Sequence, residues 1–506
     1  MCARIRAMRS GLTTDDSLVW PEKDGAVLLA SLGPGAPSLL DAVSRSAALP
    51  PELSSRLGLS RAQWEFCGGL VFASGCCLVL SIHVLYLTLY VGLWGLFSLT
   101  VVWRLLLTVF GGAARLSNLS SGDVVRVPDE LLPVYSVLIA LRDEAAMMRQ
   151  LAANLSRLDW PADKLEIILL IEEDDTATYS AAARADFPKG TLLLKVPPGN
   201  PMTKPRALNY GLAHARGRYI TVYDAEDRPD LGQLRAAHEA FCVGPEHLMC
   251  VQAPLVASNG EKAWLSAQWA LEYDVQFRLH MPVMAKMRLP IMLGGTSNHF
   301  RRESLLMAGG WDAWNVTEDA DLGLRLARLA GTTQTINNPT LEAAPTRTKI
   351  WLAQRSRWIK GFLQTWLVCW RAPIQLLREL GPVRWLSLQL TLGGALASAA
   401  LNGPMTMLVA ISLIAPGWTL STSDLLLFIS GWLTCGLADL LAPGRWSLMR
   451  ILAVVTRPLY WPLHMIAAGK AVYGLAVRPF FWAKTPHQPD DTLDDVTCST
   501  GLSRQS

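Results

Sequence analysis

Apolar and polar positions divide the chain into three zones. Between Cys67 and Phe110 the only charged side chain is Arg104, and His83 is the only other ionisable group apart from Cys and Tyr. A spanning helix needs about 20 apolar residues, so this stretch predicts two spans that turn near Tyr90 to Trp94. Arg104 and Arg115 flank the exit, which places the following segment in the cytosol by the positive-inside rule.

From Val127 to Leu376 apolar strand-like runs alternate with helical ones. "VYSVLIAL" (134–141), "KLEIILLI" (164–171), "GTLLLKV" (190–196) and "RYITVYDA" (218–225) read as four strands, with a helix at 144–158 after the first. Continuous apolar strands separated by helices predict an α/β domain with a mostly parallel sheet covered on both faces. From Val383 the chain turns apolar again. It predicts a hairpin over 383–416 broken at Asn402-Gly403-Pro404, a span over 423–441, and another over 449–477 containing Pro458 and Pro462. That makes about four C-terminal spans. The loop carrying Arg445 and Arg450 prefers the cytosol, which requires an even number of spans before it.

The organisation follows: an N-terminal cytosolic tail, partly disordered, over 1–63; two transmembrane helices over 64–112; the α/β domain over 127–345; interfacial amphipathic helices over 346–380; the C-terminal spans over 383–480; and a disordered tail over 483–506. Short helical pieces fit 38–48 in the first tail. No apolar run follows Arg4, Arg6 and Arg9, so no cleaved signal peptide is expected.

Composition narrows the class. With 51 % hydrophobic and 17 % charged residues over 506 positions, the chain exceeds one ordinary soluble domain. Its 19 Trp suit membrane interfaces and sugar-binding surfaces. A net charge of +4 is too small to suggest a nucleic-acid binder, and no long basic run exists. Nine scattered Cys with no CxxC support neither a zinc site nor a disulfide framework.

Candidate chemistry lies at the strand ends. Ligands in such sheets bind outside the carboxyl ends of the strands. Strands one, two and four end in Asp143-Glu144, in Glu172-Glu173-Asp174-Asp175, and in Asp224-Ala225-Glu226-Asp227. Alternate strand residues share a face, so Asp224 and Glu226 point together, with Asp227 a third if the turn has begun. Such a pair suits Mg²⁺ or Mn²⁺ bound to a nucleotide diphosphate; a solvated turn is the other reading. Lys204, on the loop "TKPRALNYGL" before the fourth strand, is within reach of a phosphate or is simply solvated. "LGGTSNHFRR" (293–302) reads as a loop that approaches a ligand or as an ordinary turn, and His299 as a ligand or a structural residue.

In "NVTEDADLGLRLAR" (315–328) Thr317 reads as an N-cap with Glu318 and Asp319 in the first helical turn. The alternative makes one acid a general base. In "WLAQRSRWIKGFLQTWLVCW" (351–370) Trp358, Phe362, Trp366 and Trp370 form an aromatic stripe, as on an interfacial helix. That accounts poorly for Gln354-Arg355-Ser356-Arg357-Trp358, whose Arg side chains can pair with diphosphate oxygens and whose indole can stack on a sugar.

In order and spacing these residues resemble family 2 glycosyltransferases, and more closely the membrane-embedded, processive branch that includes cellulose, chitin and hyaluronan synthases. The likeness covers roughly 127–370. It rests on Asp143-Glu144, the acids 172–175, D-x-E in place of D-x-D at Asp224 and Glu226, T-E-D at Thr317-Glu318-Asp319, and Q-x-x-R-W at 354–358. Glu226 replaces an Asp, Asp143 stands where Asn is usual, and the acidic run 172–175 leaves the uridine-binding acid ambiguous.

The resemblance implies a GT-A-type (Rossmann-like) domain and inverting transfer from a nucleotide sugar, a UDP-sugar by analogy, to a growing polysaccharide or oligosaccharide at the lipid bilayer. By the same resemblance Glu144, Glu173 and Asp175 contact the nucleoside. Asp224 and Glu226, with Asp227, hold Mg²⁺ or Mn²⁺ and the diphosphate. Asp319 is the base, Gln354 and Arg357 hold the diphosphate, and Trp358 stacks under the acceptor. It implies an integral, multi-pass inner- or plasma-membrane protein, and it leaves room for accessory export or regulatory subunits. Two competing classes remain. Transfer to a polyprenyl-phosphate carrier typically lacks Q-x-x-R-W, and a non-catalytic sugar or nucleotide sensor would not need Asp224, Asp319 and Arg357 together.

Overall fold

The computed structural model describes residues 49–50, 52–117, 127–415, 417 and 420–481. The pieces expected at 38–48 and the tail at 483–506 lie outside the described residues.

The four expected strands form: β1 (Tyr135–Leu141), β2 (Leu165–Glu172), β3 (Leu192–Val196) and β4 (Tyr219–Val222). β1 pairs in parallel with β2 and β4, and β2 with β3. The later strands are β5 (Arg228–Pro229), β6 (Leu248–Gln252), β7 (Leu255–Ala257), β8 (Asn298–Arg301), β9 (Thr332–Thr335) and β10 (Thr340–Glu342). The main sheet runs β3-β2-β1-β4-β8-β6-β9, with β8 antiparallel to β4 and β6. A small sheet, β5-β10-β7, sits beside it.

The near-continuous apolar character of β1 and β2 follows from burial on both faces. Leu138, Ile168 and Leu170 join one core with Leu208 and Ile220, while Val137, Ile139, Leu169 and Ile171 join the other with Leu151 and Leu234. Strand order reverses at β1, so a crevice opens beyond the ends of β1 and β4. The acids lie there.

Four segments are long and apolar enough to cross a membrane among the described residues: Arg61–Val79, Ile82–Ala114, Pro373–Ile414 and Thr422–Leu441. A pair bent by 69°, Leu448–Val455 and Arg457–Val477, would make a fifth. The first two break at Ser81 rather than at 90–94. Ser81 adopts an extended backbone and its Oγ accepts from Val84 N–H at 3.4 Å, so it ends one helix and caps the next.

The expected break at Asn402-Gly403-Pro404 does not occur, and one helix, Gly394–Ile414, runs through it. A Cβ on Gly403 would lie 2.7 Å from Met465 Cβ. Gly403 therefore serves close helix packing, and Pro is tolerated inside apolar helices. Two C-terminal segments, not three, thus precede the loop with Arg445 and Arg450, which with the first two makes four among the described residues. Arg450 pairs with Asp274 of the α/β domain at 2.7 Å, so the loop lies on the domain's side, as an even number requires.

Candidate active site

One cavity of about 480 Å³ opens at the strand ends and continues between the apolar helices. Asp224 and Glu226 both line it, as expected for residues two apart at the end of β4. Asp227 turns away. It is buried, and its Oδ2 accepts from Asp224 N–H at 2.7 Å and from the Thr296 hydroxyl. Burial, then the charges of Asp224 and Glu226, push its carboxyl well above the usual range. Asp230 accepts from Gly232 N–H at 2.9 Å and from Asn338 at 2.8 Å, so it builds the turn.

Lys204 opens the helix Lys204–His214 and donates to Asp224 Oδ1 and, at 2.8 Å, to Gly295 O. Burial alone would lower its ammonium, but Asp224, Glu318 and Asp227 outweigh burial and hold it above its ordinary value.

At the ends of β1 and β2, Glu144 lines the cavity and its N–H donates to Thr178 Oγ1 at 2.9 Å. Asp143 has a left-handed backbone, φ 51°, and its N–H donates to Asp175 Oδ2 at 2.6 Å. Asp175 also caps the helix Thr176–Arg184 through Thr178 N–H. Burial opposes ionisation there, but those hydrogen bonds hold Asp175 below its ordinary value. Neither Asp175 nor the exposed Glu173 lines the cavity; Glu172 does. Its Oε2 accepts from Arg206 at 2.7 Å.

The T-E-D segment is pressed against the Q-x-x-R-W helix, Thr348–Cys369. A Cβ on Gly361 would lie 2.2 Å from Thr317 Oγ1, so only glycine permits this approach. Val316 N–H donates to Gln364 Oε1 at 3.1 Å, and Asn315 Nδ2 to Thr365 Oγ1 at 2.8 Å. Thr317 takes the N-cap position without a side-chain cap bond. Glu318 and Asp319 line the cavity with Gln354, Arg357 and Trp358. Burial, then repulsion from Asp319, pushes Glu318 up to about 7. Burial likewise raises Asp319, against backbone hydrogen bonds and the charges of Lys204 and Arg357.

Trp358 stacks on Tyr273, centroids 6.1 Å apart, under the Arg355 guanidinium at 4.8 Å. Arg355 pairs with Glu272 at 2.5 Å, and Glu272 also meets His464 at 3.1 Å. His299 is structural: it bonds Tyr135 OH at 2.7 Å inside the sheet, and burial holds it down to about 3.

Residues 133–361 match a family model described as glycosyltransferase like family 2. This segment is a family 2-type glycosyltransferase domain. The chain is 26 % identical over 309 residues to a beta-monoglucosyldiacylglycerol synthase of Synechocystis, covering 58 % of this chain and 62 % of that one. It is 24 % identical over 248 residues to a cellulose synthase 1 catalytic subunit (UDP-forming) of Komagataeibacter xylinus, covering 48 % and 32 %. The chain spans 51–62 % of the length of the first curated relatives it matches. Among solved structures, a mannosyltransferase of Pyrobaculum calidifontis in complex with GDP-Man and Mn²⁺ superposes with a TM-score of 0.49 at 19 % identity, over 76 % of this chain and 99 % of that one.

Sequence reading missed three residues of this glycosyltransferase domain. Glu172 was hidden in an acidic run, and Glu272 lay in an unremarked helix. Glu342, at the end of β10, lines the cavity, and its Oε1 is buried without a hydrogen-bond partner among the described residues. Burial, then Asp227, Glu226 and Asp224, push its carboxyl well above the usual range. The only signal for Glu342 was an acid ending a short strand shortly before Q-x-x-R-W.

These carboxylates fit a hard divalent cation. Asp224, Glu226 and Glu342 repel one another around one cavity, and one carries a buried oxygen with nothing to bond. No group of three or more His, Cys, Asp or Glu is poised together for a metal among the described residues. A Mg²⁺ that takes one or two carboxylates plus substrate phosphates does not require one.

Proposed function

We propose that the chain transfers a sugar from a nucleotide sugar, a UDP-sugar by resemblance, to the hydroxyl of a growing polysaccharide or oligosaccharide at a membrane face. One observation carries this reading: Asp319, Lys204, Asp224, Arg357 and Trp358 line a single cavity that continues between the apolar helices. Asp224 and Glu226 would hold a bound Mg²⁺ or Mn²⁺, which neutralises diphosphate charge. Lys204 and Arg357 offer cationic donors to the leaving diphosphate, with Gln354 beside them. Glu144 and the end of β2 contact the nucleoside. Trp358 gives the acceptor ring a flat face. Asp319 takes the proton of the attacking hydroxyl. The acceptor oxygen bonds to the anomeric carbon as its bond to the diphosphate breaks, from the opposite face, so configuration inverts. The domain lies on the cytosolic side of a multi-pass membrane protein, the side of the Arg445 loop.

A second reading, transfer to a lipid acceptor, is favoured by the apolar walls of the cavity beyond Phe362, where Leu396, Ala399 and Ala438 line it. A relative named as a glycolipid synthase agrees with it. Purified protein would be incubated with a panel of nucleotide sugars, with and without Mg²⁺ or Mn²⁺. Nucleotide release with product in the aqueous phase supports the first reading, and solvent-extractable product the second. No turnover with any donor rejects both.

A further inference from the structure

We propose that the membrane-side lobe of the cavity binds the phosphate of an anionic lipid headgroup, with Arg104 as its cation. The inference rests on the membrane placement proposed above, but not on the transfer chemistry. Arg104 lines both the cavity and a small recess beside it. The neighbouring cations of this region have acids of their own: Arg457 pairs with Asp439, Arg355 with Glu272, and Arg450 with Asp274. Arg104 has no ion pair among the described residues. Its guanidinium donates to two neutral groups, Cys435 Sγ at 3.2 Å and Ser398 Oγ at 3.4 Å. An arginine inside a spanning segment without an acid is costly unless it serves an anion.

A second observation points to the same place. Asn402, buried and lining both the cavity and the recess, leaves its side-chain Oδ1 without a hydrogen bond among the described residues, and a flip of this amide turns its N–H donors, the end a phosphate oxygen accepts from, into the same space. Arg104, Ser398 and Asn402 thus present cationic, hydroxyl and amide groups to one space. The planar guanidinium fork matches phosphate oxygens, and the hydroxyl and amide N–H can donate beside it.

Depth identifies the source of the phosphate. Thr108, one turn along the same helix, meets His280 of the glycosyltransferase domain at 3.0 Å. A Cβ on Gly111 would touch Leu279. Arg104 therefore sits about 6 Å to the apolar side of the point where the helix joins the domain. That is headgroup level, where basic side chains meet lipid phosphates. A free phosphate would have to leave water to reach it.

The full chain would be placed in mixed micelles of phosphatidylcholine with labelled phosphatidylglycerol, and lipid binding measured at equilibrium. The expected result is saturable binding that Arg104→Gln weakens roughly fivefold and that Arg104→Lys, which keeps the charge and loses the fork, weakens less. Arg445→Gln, at an exposed position, should leave it unchanged. Equal binding by wild type and Arg104→Gln overturns the proposal. So does an equal loss in Arg445→Gln, which marks generic surface attraction. Competition by soluble glycerol phosphate at matching concentration also overturns it, in favour of a free-phosphate site. Because binding is read rather than turnover, absence of sugar transfer leaves the result standing, and lost lipid specificity with retained transfer rejects this site alone.

Discussion

The two ends of the cavity handle charge in opposite ways. At the strand ends Asp224, Glu226, Glu318, Asp319 and Glu342 crowd around Lys204 and Arg357; burial pushes Asp319 upward, and burial with repulsion from neighbouring acids pushes Glu318 and Glu342 upward. Towards the apolar helices the acids are matched. Glu272 meets Arg355 and His464, and Asp439 meets Arg457. Matched buried charges hold helices in register, whereas an excess of one sign awaits a ligand. Among the described residues at the far end, Arg104 breaks this pattern: it has no ion pair, and its guanidinium meets only Cys435 and Ser398.

That contrast can be broken by substitution. The largest effect is expected for Asp319→Asn, which removes the proposed base and should lower transfer by about 10²–10⁴-fold in a steady-state assay. Asp224→Ala comes next and Glu226→Ala after it, each read as a loss of turnover that added metal partly restores for Glu226→Ala. Full activity in Asp224→Ala would remove the diphosphate assignment.

At the matched end the expected loss is stability. Glu272→Gln strands the Arg355 guanidinium and should cost about 3 kcal/mol, seen as an earlier thermal transition in detergent. Asp227→Ala belongs with it despite its place in the acidic run. It removes the acceptor for Asp224 N–H and the Thr296 hydroxyl, at about 1–3 kcal/mol.

A different kind of effect is a pH dependence of the ligand-free protein. Glu318 is raised from 4.5 to about 7 by burial and by Asp319. The folded state therefore holds a proton that the unfolded state has released. The stability that Glu318 contributes is full below pH 4.5 and falls as pH rises towards 7. Glu318→Gln should flatten that slope in thermal unfolding, and an unchanged slope would assign it elsewhere.

How much of this was legible follows the range of the signals. The apolar strands, the paired face of Asp224 and Glu226, T-E-D and Q-x-x-R-W are local patterns, and the structure brings all of them to one cavity. What escaped depends on contacts distant in sequence. Glu342 reaches the cavity only because β10 pairs with β5 and β7. Glu272 has meaning only beside Arg355, 83 positions away, and His464. Gly403 with Pro404 carries the local signature of a turn, and packing against Met465 overrides it. Glu173 and Glu172 cannot be told apart in an acidic run until the end of β2 decides which one turns inward.

The most direct test of the central claim separates donor binding from transfer in Asp319→Asn. Titration of the purified variant with a nucleotide sugar that the wild type uses should show affinity within a fewfold of wild type, while product formation falls by at least about 10²-fold. Unimpaired transfer in that variant would contradict the account.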